Sequence, residues 1–364
     1  MEMIFAYISM MVLLFYALVG LFIFLGFYVT PHKKTSQTGR SFISILVPFR
    51  NEAENLPGLI ESFRKLHYPK NSFEIIFVND HSTDHGASII NECGLENYKL
   101  IHSKTEGKKA AIAFGVATAT GDIIAATDAD CMVSAYWLDE INNAGENSMV
   151  LGPVQLEPSK KFIHQFQEIE FAALQAIGAS TANWKMPLLS NGANMAYKKT
   201  NFDEALLKTE TASGDDMFLL NAFSKKKLSV HFLWNIHSIV KTKPVDSFKT
   251  LVEQKVRWAS KSKYYKGNSS TGLGILTAIV NLLVLLNYFN FFLFGHSSNF
   301  SLMVLITKLI VDLIFILPYL ILIRKPQLVL VLPIFITLYP FYFFYVLILS
   351  IRGKYTWKER NYSA

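Results

Sequence analysis

The sequence has 364 residues, 51% of them hydrophobic, and a formal net charge of +7 at pH 7. This length leaves room for one soluble domain of ordinary size and several membrane segments. Cys93 and Cys131 are too few for a disulfide framework and lack metal-ligand spacing, which fits a reducing compartment, and we expect both to be inert packing residues. Basic residues such as Arg324 and Lys325 lie beside apolar runs, which favours contact with anionic lipid headgroups over nucleic acid.

Four apolar runs are each long enough to cross a bilayer core of about 30 Å as a helix. They cover Ile4 to Val29, Leu273 to Phe294, Leu302 to Ile323 and Leu328 to Leu349. The first run has no basic residue ahead of it and no small-residue cleavage site behind it, so we interpret it as a retained anchor. Lys33, Lys34 and Arg40 follow this anchor, and the positive-inside rule therefore puts the next domain in the cytosol.

These features predict an anchor in residues 1–30, a cytosolic domain in 41–267, a membrane region in 271–350 and a basic tail in 351–364. If all three C-terminal runs cross the membrane, the basic tail lies outside, against the positive-inside rule. One run is then expected to be re-entrant or interfacial. The last run contains Pro333 and Pro340, and the second contains Lys308 and Asp312, which could pair structurally or help to handle an acceptor.

Short β-branched runs alternate with helical stretches between Phe42 and Leu156, which predicts an α/β domain with a largely parallel sheet. The predicted strands are Phe42 to Phe49, Phe73 to Asp80, Tyr98 to Ser103, Asp122 to Thr127 and Ser148 to Leu156, and the predicted helices are Asn51 to Leu66, Asp84 to Cys93, Gly107 to Ala119 and Ala135 to Ala144. Polar clusters, "PFRNE", "NDHSTD" and "TDAD", end three of these strands. Because ligands bind beyond the carboxyl ends of parallel strands, these clusters predict one binding site, although each alone also suits a turn or a helix cap.

The region from Pro158 to Gly267 is less regular than the first part of the domain. Its segment "KKFIHQFQEIEFAALQAIGAS" places Phe162, Phe166 and Ile169 near one face of a helix. Such a helix lies either at the membrane surface or against the protein core, and the pattern leaves both interpretations open.

Asp128 and Asp130 flank one alanine at the end of the predicted fourth strand. In an extended strand their side chains would share a face. Two carboxylates in this arrangement can hold Mg²⁺ or Mn²⁺ while substrate phosphates complete the coordination shell. A lone D-x-D pair arises often by chance, but its position after an apolar strand favours a metal site.

Two further groups of polar residues occur closer to the C-terminus. Asp215 and Asp216 precede an apolar helical run, where helix capping and a general base are both open interpretations. Gln254, Arg257 and Trp258 fall within about one helical turn. The arginine could pair with a diphosphate and the tryptophan could stack on a sugar ring, although a tryptophan at the membrane interface with a basic flank is the alternative.

Six motifs, in this order, resemble those of the membrane-bound family 2 glycosyltransferases. They are "LVPFRNEAENL", "VNDHSTD", "GKKAAIAFGVATATGDIIAATDADC", "LLSNGANMAYKK", "SGDDMFLL" and "QKVRW", and they span roughly Ile43 to Trp258. The resemblance implies inverting enzymes of GT-A fold, with a mixed, mostly parallel α/β sheet, a nucleotide-sugar donor and a divalent cation, Mg²⁺ or Mn²⁺. Two residues depart from the family pattern: His81 replaces a glycine, and Asp215 replaces a glutamate.

Residue by residue, the resemblance implies a uridine pocket lined by Pro48, Arg50, Glu52 and Asp80, with Asp80 on the uracil, and a lysine of the nucleotide-binding helix at Lys108. It places Asp128 beside the nucleotide and diphosphate, near the metal, and makes Asp130 the direct metal ligand. It makes Asp216 the catalytic base with Asp215 next to it. Gln254, Arg257 and Trp258 would contact diphosphate and acceptor, with Arg257 neutralising charge on the departing UDP.

The expected protein is a multi-pass enzyme of the bacterial inner cell membrane that moves a hexosyl group from a UDP-sugar to a lipid or lipid-linked acceptor. One alternative is the catalytic subunit of a processive polysaccharide synthase, with a glycan acceptor and a small membrane partner subunit. Another is an inactive scaffold that only binds nucleotide sugars. A dinucleotide oxidoreductase is disfavoured because the first strand leads into "VPFRNEAENLPG" rather than a G-x-G-x-x-G turn. We expect no nucleic-acid partner.

Overall fold

A computed structural model describes residues 2–29, 39–145, 149–203, 214–260, 269–294, 299–351, 354–357 and 360–363. The predicted basic flank at Lys33 and Lys34 lies outside these ranges, as do Ser213 and five of the ten lysine and arginine residues after Trp258. The predicted domain boundaries and the side of the membrane on which the tail lies remain predictions.

The central sheet has seven strands and is almost entirely parallel. The strands of the protein are β1 (Ile43–Phe49), β2 (Phe73–Asn79), β3 (Tyr98–His102), β4 (Ile123–Ala126), β5 (Cys131–Met132), β6 (Met149–Leu151), β7 (Val154–Leu156), β8 (Met195–Lys198), β9 (Val230–Phe232), β10 (Val240–Thr242), β11 (Lys354–Trp357) and β12 (Arg360–Ser363). The sheet order is β3-β2-β1-β4-β8-β6-β9, and β8 runs antiparallel to both of its neighbours. The predicted mixed, mostly parallel α/β class is therefore confirmed.

The prediction of one continuous fifth strand from Ser148 to Leu156 was wrong. Its described part forms two short strands, with β6 in the main sheet and β7 in a second sheet of order β5-β10-β7. Gly152 and Pro153 separate them, and Pro153 has no N–H with which to continue a ladder. The Pro153 carbonyl instead accepts from Val240 N at 3.0 Å, and Gly152 N donates to the Asn194 carbonyl at 2.9 Å.

The protein has helices on both faces of the main sheet and further helices that pack on one another. They are α1 (Glu2–Gly26), α2 (Leu56–Arg64), α3 (Gly86–Asn91), α4 (Lys108–Thr118), α5 (Trp137–Asn143), α6 (Phe162–Asn183), α7 (Asp215–Lys225), α8 (Phe248–Ala259), α9 (Ser269–Phe294), α10 (Asn299–Leu322) and α11 (Leu332–Ile351). The four helices predicted between the strands are present but shorter. Helix α2 begins at Leu56 rather than at Asn51, because Asn51 has a φ of 51°, which a right-handed helix excludes.

The two faces of β1 contribute to two separate apolar cores. Ile45 and Val47 belong to the core that includes Leu59 of α2. Leu46 belongs to the other core, together with Val78 of β2 and residues of α4 and α6. Both faces are therefore buried, as expected for strands of a parallel sheet covered by helices.

Among the residues that the structure describes, four helices are long and apolar enough to cross a membrane. The segments concerned are Ala6–Gly26, Ser270–Phe291, Phe300–Leu322 and Pro326–Ile351. Inside this bundle Lys308 Nζ lies 2.9 Å from Asp312 Oδ2, as the sequence spacing predicted, and the Tyr16 hydroxyl of α1 donates to the same carboxylate. Because charged groups in an apolar environment need partners, this buried cluster joins α1 to α10.

Helix α6 lies between the sheet and the apolar helices, so the core-facing interpretation of this amphipathic segment is the correct one. Its residues pack in the same core as those of α1 and α10. At its C-terminal end, Asn183 Nδ2 donates to the Gly26 carbonyl and Trp184 Nε1 donates to the Phe22 carbonyl, each at 2.9 Å. The first contact satisfies the Gly26 carbonyl, which the end of α1 would otherwise leave unpaired, and the second ties Trp184 to the last turns of the same helix.

Strand β7 is hydrogen-bonded to the end of α10. The Tyr319 hydroxyl donates to the Val154 carbonyl at 2.8 Å and accepts from Val154 N at 3.1 Å. Lys325 Nζ lies 2.5 Å from Glu168 Oε2 and donates to the Leu156 carbonyl at 2.7 Å. The expectation that Lys325 contacts lipid headgroups was therefore wrong, because its charge is buried against α6; its neighbour Arg324 is exposed.

Candidate active site

The polar clusters that follow β1, β2 and β4 lie at one edge of the main sheet. Strand β1 pairs in parallel with both β2 and β4, with Phe49 opposite Asn79 and Leu46 opposite Ala126. Parallel neighbours end on the same side, so the loops that begin at Arg50, Asp80 and Thr127 are adjacent. This is the edge at which open α/β sheets bind ligands.

Asp80 connects the end of β2 to the start of α4. Its side chain is nearly inaccessible, with 2% of the residue exposed, and its Oδ1 accepts from Gly107 N at 2.7 Å. Arg50 Nη1 donates to the Asp80 backbone carbonyl at 3.4 Å. The structure thus brings two residues of the predicted uridine pocket into contact with each other and with the helix that begins at Lys108.

His81 has a φ of 55°, in the left-handed region. Glycine adopts this conformation without steric cost, which gives a physical reason for the glycine that the family places here. In this chain the imidazole Nδ1 lies 3.5 Å from Asp80 Oδ1. His81 thus adopts a conformation that glycine favours, and it puts an imidazole beside the buried carboxylate.

The other two residues of the predicted pocket, Pro48 and Glu52, lie in β1 and in the loop that follows it. Pro48 is buried in β1, and Glu52 Oε2 accepts from Asn55 Nδ2 at 2.6 Å. Asn51 Oδ1 accepts from Thr83 N at 2.8 Å, which ties the loop after β1 to the loop after β2. The pocket wall is therefore a hydrogen-bonded unit made by two strand ends.

Lys108 occupies the centre of the carboxylate cluster. Its Nζ lies 2.7 Å from Asp128 Oδ1 and 3.9 Å from Asp215 Oδ2. Burial alone would lower the pKa of Lys108, but the charges of Asp128 and Asp215 outweigh it and raise the pKa above its usual value. The side chain is consequently a fixed positive charge at neutral pH.

Asp215 and Asp216 form the first turn of α7. The residue before them, Gly214, is the N-cap and has a φ of 91°, so neither aspartate caps the helix and the capping interpretation was wrong. Asp216 Oδ2 accepts from Gly192 N at 3.2 Å, and its Oδ1 accepts from Met217 N at 2.8 Å. These bonds and the positive end of the helix favour the ionised carboxylate that a base requires.

The D-x-D pair follows β4, as predicted, and lies in a turn, so the shared face of an extended strand does not apply to it. Strand β4 ends at Ala126, and Cys131 N donates to the Asp128 carbonyl at 3.2 Å. Ala129 is buried, whereas Asp128 and Asp130 are both partly exposed. Within the described ranges no group of three or more His, Cys, Asp or Glu residues forms a metal cluster, so a cation held here would need oxygen ligands beyond these two carboxylates.

Two residues in the segment "LLSNGANMAYKK" shape the site, although the motif gave them no role in advance. A Cβ on Gly192 would lie 3.5 Å from Asp215 Oδ2 and 3.6 Å from Asp216 Cβ, so this loop packs directly on the aspartates. Asn194, 2% exposed, accepts from Trp137 Nε1 at 2.8 Å and donates to the Pro153 and Ser238 carbonyls, each at 2.8 Å. Asn194 therefore fixes the loop to three separate segments.

The third predicted group lies on α8. Gln254 and Arg257 are partly exposed and Trp258 is 36% exposed. Between them Lys255, which the sequence did not single out, is buried with its Nζ 2.8 Å from Glu170 Oε2 of α6. The contacts described for α8 join it to α6 and α11, and the approach of Arg257 to a diphosphate remains a prediction.

Comparison with known proteins connects this geometry to a family. A family model described as "Glycosyl transferase family 2" matches residues 44–196, a span that contains the Asp80 loop, the D-x-D turn and the Asn194 segment. Residues 44–196 therefore form a glycosyl transferase family 2 domain. This match accords with the resemblance carried by the six motifs, while the roles of single residues remain predictions.

Two relatives of the family 2 domain are curated bacterial proteins. Probable glycosyltransferase YdaM of Bacillus subtilis is 27% identical over 236 residues, 61% of this chain and 55% of that protein. The undecaprenyl-phosphate 4-deoxy-4-formamido-L-arabinose transferase of Pectobacterium atrosepticum is 26% identical over 202 residues, 52% of this chain and 59% of that protein. The chain thus spans little more than half the length of these relatives.

A solved structure shares the fold of this chain. Mannosyltransferase PcManGT from Pyrobaculum calidifontis, in complex with GDP-Man and Mn²⁺, superposes with a TM-score of 0.55 at 14% identity. The alignment covers 90% of this chain and 96% of that one. At this identity the likeness establishes the GT-A architecture alone.

Proposed function

We propose that this chain is an inverting hexosyltransferase that moves a sugar from a UDP-linked donor to a lipid or lipid-linked acceptor at the membrane. One observation carries the proposal. Lys108 lies close to Asp128, Asp215 and Gly192 at the ligand-binding edge of a family 2 domain. Asp216 follows Asp215 directly in the chain. The site combines one fixed cation with several carboxylates, as a diphosphate donor and an acceptor hydroxyl require.

The donor would bind across the ends of β1, β2 and β4. In this proposal Asp80 contacts the uracil, while Pro48, Arg50 and Glu52 line the uridine pocket. Lys108 and Asp128 lie where the diphosphate would reach, because Gly107 contacts Asp80 and the next residue contacts Asp128. PcManGT, which is described with GDP-Man, supports a nucleotide sugar as the donor class.

Asp130 and Asp128 would hold a divalent cation, Mg²⁺ or Mn²⁺. Two partly exposed carboxylates supply the hard oxygen atoms that these ions prefer, and phosphate oxygens would complete the shell. The cation would neutralise negative charge on the departing diphosphate. The Mn²⁺ described with PcManGT supports this cofactor class.

Asp216 would act as the general base. Its carboxylate takes the proton of the acceptor hydroxyl as the acceptor oxygen bonds to the anomeric carbon and the bond from that carbon to the UDP oxygen breaks. One such displacement inverts the configuration. The Gly192 and Met217 N–H groups orient the carboxylate, and Lys108 balances the charge of the neighbouring Asp215.

Gln254, Arg257, Trp258 and Asp215 would handle the diphosphate and the acceptor. Arg257 would neutralise charge on the departing UDP, and Trp258 would offer an apolar ring face. A lipid acceptor is supported by the four apolar helices and by the undecaprenyl-phosphate named for the Pectobacterium relative. We place the protein in a bacterial inner membrane with its family 2 domain in the cytosol.

The test is a panel of donors against extracted membrane lipids, with mass spectrometry of the products. UDP-sugars are compared with GDP-mannose, using purified full-length protein in lipid nanodiscs. A glycosylated lipid formed from one UDP-sugar, with release of UDP, is the expected result. Elongating glycan chains would instead favour the polysaccharide synthase with a partner subunit, and nucleotide binding without any transfer would favour the scaffold.

A further inference from the structure

Helix α8 buries a charged residue in its otherwise apolar face. Its buried residues are Leu251, Val252, Lys255 and Val256. Lys255 is 7% exposed, and its counter-charge, Glu170 of α6, is 8% exposed. The two charged atoms lie 2.8 Å apart. The pair thus fixes α8 on α6 at one defined position.

The same ammonium contacts the ring of Trp258. Lys255 Nζ lies 4.2 Å from the centre of that ring, within the range of a cation–π interaction. Residues three apart in a helix lie on adjacent turns of one side, so the contact follows from the spacing. The ammonium therefore holds two partners at once, the carboxylate of α6 and the tryptophan ring.

Helix α8 is held at its other end by α11. Phe248 stacks on Tyr345 with ring centres 6.2 Å apart and meets Tyr342 at 6.1 Å. These aromatic contacts fix the start of α8 but do not reach Trp258, which lies almost three turns further along the helix. The orientation of the tryptophan is therefore set locally, by Lys255.

We infer that Glu170 and Lys255 are positioning residues that orient Trp258 toward the acceptor, an inference that rests on the proposed function. A buried ion pair adds little net stability, because desolvation offsets most of the attraction. Its contribution here is geometric: the carboxylate fixes the ammonium, and the ammonium fixes the plane of the ring. Neither Glu170 nor Lys255 needs to touch the substrate.

The experiment compares Lys255→Met, Lys255→Arg and the matched control Lys249→Met, an exposed lysine of the same helix, in the full-length protein. The donor and acceptor are the pair that the panel selects. Lys255→Met should raise the acceptor KM about fivefold, the size of one cation–π contact, with an unchanged donor KM. Lys255→Arg should restore the acceptor KM, and Lys249→Met should not change it. The double variant Glu170→Gln/Lys255→Met removes both buried charges. It therefore serves as a second test if Lys255→Met misfolds because Glu170 is left without its counter-charge.

Combining Lys255→Met with a substitution of Trp258 distinguishes a positioning role of Lys255 from a general structural role. In a Trp258→Leu background, Lys255→Met should add no further rise in acceptor KM. Additive effects, or an unchanged acceptor KM in Lys255→Met, would overturn the inference while leaving the transferase intact. Absence of transfer by the unaltered protein would instead contradict the proposed function.

A fluorescence measurement tests the inference without any substrate. The emission of Trp258 is obtained as the difference between each protein and its Trp258→Phe derivative. This emission should shift in Lys255→Met, and an unshifted band would count against the inference.

Discussion

Asp130 and Asp128 are only two amino acids apart, yet their surroundings differ. Asp128 is paired with Lys108, whereas Cys131 Sγ lies 3.5 Å from Asp130 Oδ1. The proposal makes Asp130 the direct ligand and Asp128 its partner on the nucleotide side.

Asp130→Ala should therefore weaken Mn²⁺-dependent UDP binding by about tenfold or more, because a hard cation loses a charged oxygen ligand. Titration calorimetry with UDP, with and without Mn²⁺, measures the effect. Asp246→Ala removes an exposed carboxylate and serves as the control, with no expected change. Equal metal-dependent affinity in Asp130→Ala and in the unaltered protein would refute the ligand assignment.

Glu74 is a buried carboxylate at the opposite end of β2. It accepts from Ser44 Oγ at 2.7 Å and from Thr120 N at 2.6 Å, and it pairs with Lys99 Nζ at 2.7 Å. Burial alone would raise the pKa of Glu74, but Lys99, Thr120 and Ser44 outweigh it and lower the pKa from 4.5 to about 2. A lowered pKa in the folded state stabilises the protein above pH 4.5, and this stabilisation is lost as the pH falls through 2.

Glu74→Gln should lower the free energy of unfolding at pH 7 by about 2 kcal/mol, since it removes a charge that several donors match. The difference from the unaltered protein should shrink between pH 4.5 and pH 2. Thermal unfolding in detergent across this range measures both effects. Glu61→Gln, at an exposed carboxylate, is the control, and a pH-independent difference would argue against the pKa assignment.

At the scale of elements, α6 connects the family 2 domain to the apolar helices. Two of its glutamates are buried and paired, Glu168 with Lys325 after α10 and Glu170 with Lys255 of α8. Strand β7 adds hydrogen bonds from its backbone to Tyr319 of α10. The second sheet, β5-β10-β7, thereby links the D-x-D turn to the end of α10.

Lys325→Met should lower the free energy of unfolding by about 3 kcal/mol or more, because Glu168 would stay buried without a counter-charge. The double variant Lys325→Met/Glu168→Gln should recover part of this loss. Thermal unfolding in detergent provides the measurement, and Arg324→Met, at the exposed neighbour, is the matched control. If Lys325→Met unfolded at the same temperature as Arg324→Met, the ion pair would not join these elements.

The predictable parts of the fold are those that a pattern of neighbouring residues in the sequence indicates. The first four strands and the helices between them follow from hydrophobic periodicity, and parallel pairing then brought Arg50, Asp80 and Asp128 to one edge. Strands β8, β9 and β10 are three or four residues long and exist through pairing with distant segments, so periodicity could not reveal them. Glu170 and Lys255 were missed for a similar reason, since each belongs to an amphipathic helix in which a single charge normally indicates a solvated face.

At the scale of the whole molecule, the proposal requires the family 2 domain to face the cytosol. Both natural cysteines are buried, so a cysteine introduced at exposed Lys70 should be the main reactive thiol. A membrane-impermeant maleimide should label Lys70→Cys only after the cells are lysed, because nucleotide sugars and the domain share one compartment. Labelling in intact cells would place the domain outside and contradict the proposed topology.

The most direct test of the proposed chemistry is the comparison of turnover with UDP affinity in Asp216→Asn. Asparagine keeps the shape of the side chain but cannot take the acceptor proton. Turnover should fall by about a hundredfold to ten-thousandfold, the usual contribution of a general base. UDP affinity should stay close to that of the unaltered protein and of the exposed-site control Asp246→Asn. Substantial residual transfer by Asp216→Asn, or a parallel loss of UDP binding, would contradict the assignment of Asp216 as the base.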